Sequence, residues 1–330
     1  MRGWLRFALG LATLGVLVVL VDWQLALSRI AAAEHSYTIA AIVVGMTGLL
    51  FAALRWWQVV LGSRAWMPLS AAIRVHWAGV FWNQFLPTGF GGDIVRFTLG
   101  RHYVRASTVA ASIMVERLTG LIVVLMLAWI AATGWAAHLG ATTAELSYAG
   151  VAMASAAVAL VVFGTVAVTM WLGVGHRYVV FVLRFLPAPI RIRLTALGEA
   201  LAVYIDRPSV LVRAGLMSLP CHFATFLVQF LVLRAVGAPI GLGEVLLVAP
   251  LMPLVGLVAL TPNGIGITEA VFVALYLPLG VPPDMALAAA ALRRLTDLAA
   301  ASGGGITWLT VGSRERAAAR QEQRRFARTS

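Results

Sequence analysis

The sequence predicts an all-α, polytopic membrane helical bundle arranged as an inverted repeat with two re-entrant, interrupted helical hairpins. Three observations carry that reading. The chain is 61% hydrophobic and 12% charged, with a mean hydropathy of +0.91, more apolar surface than a water-facing globule of 330 residues can bury. Apolar stretches of membrane-crossing length recur along it. A Gly/Pro-interrupted segment followed by a charged helix occurs twice, and such pairs mark the binding sites of transporters built from repeats.

A spanning helix needs about 20 apolar residues to cross roughly 30 Å of hydrocarbon. The candidates are 6–24, 38–61, 107–133, 147–173, 209–234 and 285–311. The first follows Arg2 and Arg6 but has no small-residue cleavage site near Asp22, so it is expected to be retained as a span. Between the second and third lie 71–86 and 92–100; the latter, about 14 Å long, is too short to cross. These two arms are read as a hairpin closed by PTGFGGD at 87–93. The counterpart has arms 243–260 and 264–281 around PNGIGITE at 262–269, interrupted by Pro250, Pro253 and Pro278.

The charged helices match as closely as the breaks. At an offset of 177, VERLTGL at 115–121 falls on LRRLTDL at 292–298, so Arg117 meets Arg294 while Glu116 meets Arg293. At 176, Asp93 falls on Glu269. The copies are therefore placed at about 71–133 and 243–311. All 25 basic residues are arginine, and placing the N-terminus inside leaves only Arg29 and Arg234 outside, as the positive-inside rule requires. Both termini are then cytoplasmic, and the hairpins enter from opposite faces. Residues 1–313 are expected to form one integral membrane domain. Within it, 175–207 alternates arginines with Phe, Leu and Ile, the pattern of an interfacial amphipathic segment. A basic tail, 314–330, follows, read as a solvated helical end or a grip on anionic lipid.

Ionisable side chains are costly within a bilayer, and mark bundle interiors or watery cavities. Here they gather in the repeats: Asp93, Arg96, Glu116 and Arg117 in the first, Glu269, Arg293, Arg294 and Asp297 in the second. They are candidates for binding a substrate, and equally for pairing among themselves, Arg293 or Arg294 with Asp297 and Glu116 with an arginine of the other copy. Gly89, Gly91, Gly92, Gly264 and Gly266 allow positive φ and close approach of a headgroup to backbone N–H groups. Asp93 and Glu269 open the second half-helices, either as caps or as sites for a proton, a cation or an amine. Asn83 and Asn263 flank the breaks, placed to tie loose backbone groups.

Other chemistries lack their residues. Cys221 is the single cysteine, read as a lipid- or helix-facing side chain, and the histidines have no metal-ligand spacing. Neither glycine-rich break continues into a P-loop lysine, so no cofactor is expected. Trp56, Trp57, Trp66, Trp77 and Trp82 are read as a membrane-boundary belt, not as a base-stacking platform, and nucleic acid is not an expected partner. No nucleophile with an adjacent base is visible, so the expectation is a protein that is not an enzyme.

NQFLPTGFGGDIVRF, VERLTGL, LTPNGIGITEAVF and LRRLTDL resemble the family of lysylphosphatidylglycerol-synthase transmembrane domains, also called flippase-like, over about residues 10–311. The resemblance implies a multi-pass protein of the bacterial inner membrane that moves, or helps to move, a lipid. Anionic phospholipids and polyprenyl-linked or hopanoid-type lipids are the classes it suggests. The aminoacyl transfer carried by a soluble synthase in bifunctional members is not expected, the sequence running to Ser330. The family's acid before an arginine is kept as Asp93 and Arg96, but Phe272 replaces that arginine in the second copy. The resulting expectation is a carrier of a phosphate-bearing or otherwise polar lipid, its headgroup held between the hairpins. The alternative is a non-transporting membrane partner of an envelope-biosynthesis enzyme such as a glycosyltransferase.

Overall fold

A computed structural model describes residues 23–86, 91–138, 188–253 and 264–308. They form ten α-helices: α1 Trp23–Ala31, α2 His35–Gly62, α3 Leu69–Asn83, α4 Gly91–Gly100, α5 Ala106–His138, α6 Ala188–Ile205, α7 Pro208–Ala235, α8 Leu242–Val248, α9 Ile267–Tyr276 and α10 Pro283–Ala301. Short 3-10 turns, Ala249–Leu251 and Leu277–Leu279, extend α8 and α9. The predicted span 147–173, most of 6–24, and the tail 314–330 lie outside the described residues, as do residues 175–187 of the interfacial segment.

Local chemistry sets the boundaries. After α2, Arg64 turns left-handed at φ 65°, and Pro68 then caps α3. Pro208 and Pro283 occupy first-turn positions of α7 and α10, where a missing N–H costs nothing. Glu244 accepts the Gly241 N–H at 2.5 Å, closing the start of α8. Among the described residues, three helices are long and apolar enough to cross a membrane: α2, α5 over Ala106–Ala131, and α7. The predicted span 285–311 appears as α10, 19 residues long, which is not among them. Asp284, Arg293, Arg294 and Asp297 lower its apolarity, and its length alone reaches about 28 Å.

The packing has a two-fold pattern wider than the sequence repeat. Pairing α1 with α6, α2 with α7, α3 with α8, α4 with α9 and α5 with α10 maps one set of contacts onto another. Thus α4 packs on α5 as α9 packs on α10, and α2 on α3 as α7 on α8. Helix α5 meets α7 as α10 meets α2, and α5 meets α8 as α10 meets α3. The pair at the centre, α2 with α7, has the most extensive packing. A Cβ on Gly48 would lie 2.8 Å from Ala224, one on Gly45 3.9 Å from Val228, and one on Gly62 would strike Val210. As numbers rise along α2 they fall along α7, so the mates are antiparallel. A two-fold that exchanges antiparallel helices lies across their axes, which makes the repeat inverted.

Apolar cores join the helices, and Ala26, Ala41, Val124 and Leu125 of the first half also enter the core of the second. Trp56, Val60, Ala71, Val75, Val95 and Val109 join α2 to α5. Phe226, Val245, Phe272, Tyr276 and Leu287 join α7 to α10.

Candidate functional site

The first break is tied by a side-chain-to-backbone bond across a close backbone approach. Helix α3 ends at Asn83 and α4 begins at Gly91; at about 22 Å and 15 Å, both are shorter than the roughly 30 Å of hydrocarbon. Asn83 Oδ1 accepts the Gly92 N–H at 3.1 Å, tying one arm to the other. A Cβ on Gly92 would sit 2.5 Å from the Gly79 carbonyl oxygen. Gly91 and Gly92 are already helical, so closeness rather than positive φ requires a glycine at 92. Gly89 lies outside the described residues.

That hairpin delivers Asp93 and Arg96 to α5. Glu116, 2% exposed, accepts from Arg55 Nη2 at 2.8 Å, from Arg55 Nε at 3.3 Å, and from Arg96 Nη2. Arg96 Nη1 reaches Asp93 Oδ1 at 3.2 Å, and Arg117 Nε donates to Asp93 Oδ2. Arg55 Nη1 donates to Ser218 Oγ of α7 at 2.9 Å, beside Gly120, whose missing side chain leaves the guanidinium room. The Arg96 guanidinium carbon lies 4.6 Å above the Trp56 ring, a cation–π contact. Trp56 is itself held by a bond from its Nε1 to Ser112 Oγ at 3.0 Å. Among the described residues, the guanidiniums of Arg55, Arg96 and Arg117 share the carboxylates of Asp93 and Glu116. Arg96 Nε and His76 Nδ1 are buried without a hydrogen-bond partner among the described residues.

The second copy repeats one ion pair and alters the rest. Gly266 takes φ +86° and Gly264 φ +68°, the positive-φ geometry expected of these glycines. Glu269 Oε2 accepts the Gly266 N–H at 2.7 Å, and Oε1 accepts from Arg294 Nε at 2.8 Å and Nη2 at 2.5 Å. This pair is the mate of Asp93 with Arg117. Glu269 therefore caps its helix and holds an arginine at once. In place of Arg96, Phe272 packs on Tyr276 with ring centroids 4.6 Å apart. Among the described residues, Arg293, in place of Glu116, faces Asp297 at 3.7 Å. Asn263 lies outside the described residues.

Several pairings differ from expectation. Glu116 meets Arg96 of its own copy and Arg55 of α2, not an arginine of the other copy, because α4 and α2 flank α5 on that side. Arg294 pairs with Glu269 rather than Asp297. Trp56 is fully buried as a platform for Arg96, and Trp57 Nε1 donates to the Met67 carbonyl at 2.8 Å. Trp77 Nε1 donates to the Ala300 carbonyl at 2.9 Å, Trp82 Nε1 is buried, and Trp66 is 74% exposed. Arg55 and Ser218 were not singled out from the sequence, and Trp56 and His76 were read there only as a belt residue and as a histidine without metal-ligand spacing. Arg55 had a signal, as the one arginine inside an otherwise apolar 28-residue helix.

The family described as Lysylphosphatidylglycerol synthase TM region matches residues 4–305. The chain belongs to that family. It is a membrane protein. No curated protein matches it. In this member of the lysylphosphatidylglycerol synthase TM region family, Arg55, Asp93, Arg96, Glu116 and Arg117 form one charged cluster, and Glu269, Arg293, Arg294 and Asp297 form its related counterpart in the second copy. The first is closed by the chain's own countercharges. The second carries a reversed charge at its centre.

Proposed function

We propose that this protein carries a phosphate-bearing or otherwise polar lipid across the bacterial inner membrane, without covalent chemistry of its own. The observation that supports this best is the duplicated ion pair, Asp93 with Arg117 and Glu269 with Arg294, at the first turns of short helices in the two halves of an inverted repeat. In such a repeat each half can take the conformation of the other, which exchanges the side on which the site is open. Both pairs join a short helix to the charged helix behind it, so each couples the break in its half to the helix that carries the charges. Partly exposed pairs suit that task, since water and alternative partners keep each charge compensated in either state.

In this reading α3 with α4 and α8 with α9 are re-entrant, the termini face the cytoplasm, and the headgroup passes beside the charged helices while the acyl tails stay in lipid. The partner is then a membrane lipid. Reconstitution into vesicles with fluorescent phosphatidylglycerol tests it. Wild-type protein is expected to expose inner-leaflet lipid to an external quencher faster than empty vesicles do. Arg117→Ala and Arg294→Ala should slow this at least about tenfold, equivalent to about 1.4 kcal/mol. Wild-type rates from both folded variants would refute the role of the pairs.

A further inference from the structure

We propose that the cavity between α2, α3, α7 and α10 is a phosphate-binding site, with Arg293 as its anion contact. This deepens the reading above, and the lipid nature of its ligand rests on it. The cavity measures about 270 Å³, just under the roughly 300–1,000 Å³ of small-molecule sites. That is room for a headgroup and not for acyl tails.

The two-fold shows why this space exists. Matching the 28-residue helices α2 and α7 end to end puts Arg55 on Val228 and Ser218 on Gly45; matching the charged helices puts Glu116 on Arg293 and Gly120 on Asp297. In the first half the long side chain of Arg55 crosses to Glu116, is held by Ser218 and lies against Gly120. In the second half the same four places hold Val228, Gly45, Arg293 and Asp297, all lining the cavity. Valine and glycine are too short to fill what arginine and serine fill. The space left over is the mate of the locus occupied by the Arg55 guanidinium.

The sign of the missing charge follows. Glu116 is an anion and the chain answers it with Arg55 and Arg96 at hydrogen-bonding distance. Arg293 is a cation, and its described counterion, Asp297, stands 3.7 Å away, beyond a direct hydrogen bond. It is the longest of the ion pairs among the described residues. Arg96, Arg117 and Arg294 have carboxylates already bonded. Arg293 is therefore the guanidinium of the repeats best placed to take an outside anion, and a phosphate suits its planar fork of donors. Asp297 competes with that anion and is displaced by it.

Cys221 also lines the cavity, and as the single cysteine it reports occupancy without engineering. The test is the rate at which a small methanethiosulfonate modifies Cys221 in full-length protein in dodecyl maltoside, alone, with phosphatidylglycerol, with a phosphate-free glycosyl diacylglycerol, and with inorganic phosphate. At a phosphatidylglycerol concentration about ten times its dissociation constant, modification should slow about tenfold. The protection should vanish in Arg293→Gln, persist in Arg293→Lys and strengthen in Asp297→Asn, a gain that a misfolded protein cannot produce. Arg293-dependent protection by inorganic phosphate alone keeps the site and assigns it to a soluble anion. Equal protection by the glycolipid, protection unchanged in Arg293→Gln, no protection by any of the three, or a thiol inert without ligand would each overturn the site. Protection without lipid movement in vesicles sinks the carrier reading and leaves the site standing; lipid movement with Cys221 equally reactive throughout does the reverse.

Discussion

Replacing Glu116 with glutamine removes the acid that holds two guanidiniums inside the bundle. Arg55 and Arg96 have side chains 12% and 8% exposed, so water cannot take over the role of the carboxylate. Removing one partner of a buried charge network costs about 3–5 kcal/mol. An independent figure agrees: a unit-charge pair at 4 Å in an effective dielectric of 20 is worth about 4 kcal/mol. Arg55 keeps Ser218 and Arg96 keeps Asp93, which favours the lower end, about 3 kcal/mol. The assay is reversible unfolding of the purified protein in mixed micelles with a rising fraction of dodecyl sulfate. Arg117→Ala serves as the contrast, since its side chain is 39% exposed and exposed pairs contribute under about 1 kcal/mol. Adding Arg55→Gln to Glu116→Gln removes one stranded cation and should recover part of the loss. A Glu116→Gln protein within about 1 kcal/mol of wild type would refute the claim that this network is buried and mutually dependent.

Gly92→Ala should destabilise by about 1–3 kcal/mol in the same assay, because the new methyl meets the Gly79 carbonyl with no flexible side chain to give way. Gly198→Ala, on an exposed helical position with nothing within 4 Å of the added carbon, should stabilise by about 0.5–1 kcal/mol. Gly266→Ala should cost about 1–3 kcal/mol through its φ of +86°. Glu269→Gln should also lower stability, since it takes the countercharge from Arg294 and weakens the acceptor of the Gly266 N–H; thermal unfolding followed by circular dichroism checks both.

The halves share much of their helix packing and differ in charge, and the contrast is concentrated on few residues. Asp93 with Arg117 and Glu269 with Arg294 preserve one latch in both. Exchanging Arg96 for Phe272 turns an ionic contact into an aromatic one in the core. Exchanging Glu116 for Arg293, together with Arg55 for Val228, turns a filled ionic locus into an open cationic one. A carrier with two identical halves would bind its load equally in both.

The membrane character, the helical class and the doubled break with its charged helices were all readable in one dimension, because each depends on composition or on the spacing of residues along one segment. So was the cap formed by Glu269, which acts three residues from Gly266. Partner choice was not. Whether Glu116 meets Arg55, Arg96 or an arginine of the other copy depends on which helices lie beside α5, and charge attraction alone does not distinguish guanidiniums 20 and 61 residues away. The sequence set the number and kind of charges that had to be neutralised inside an oily medium. Tertiary packing decided which of them met, that the mates α2 and α7 lie antiparallel at the centre, and where a short Val228 leaves unfilled the space that a long Arg55 fills in the other half.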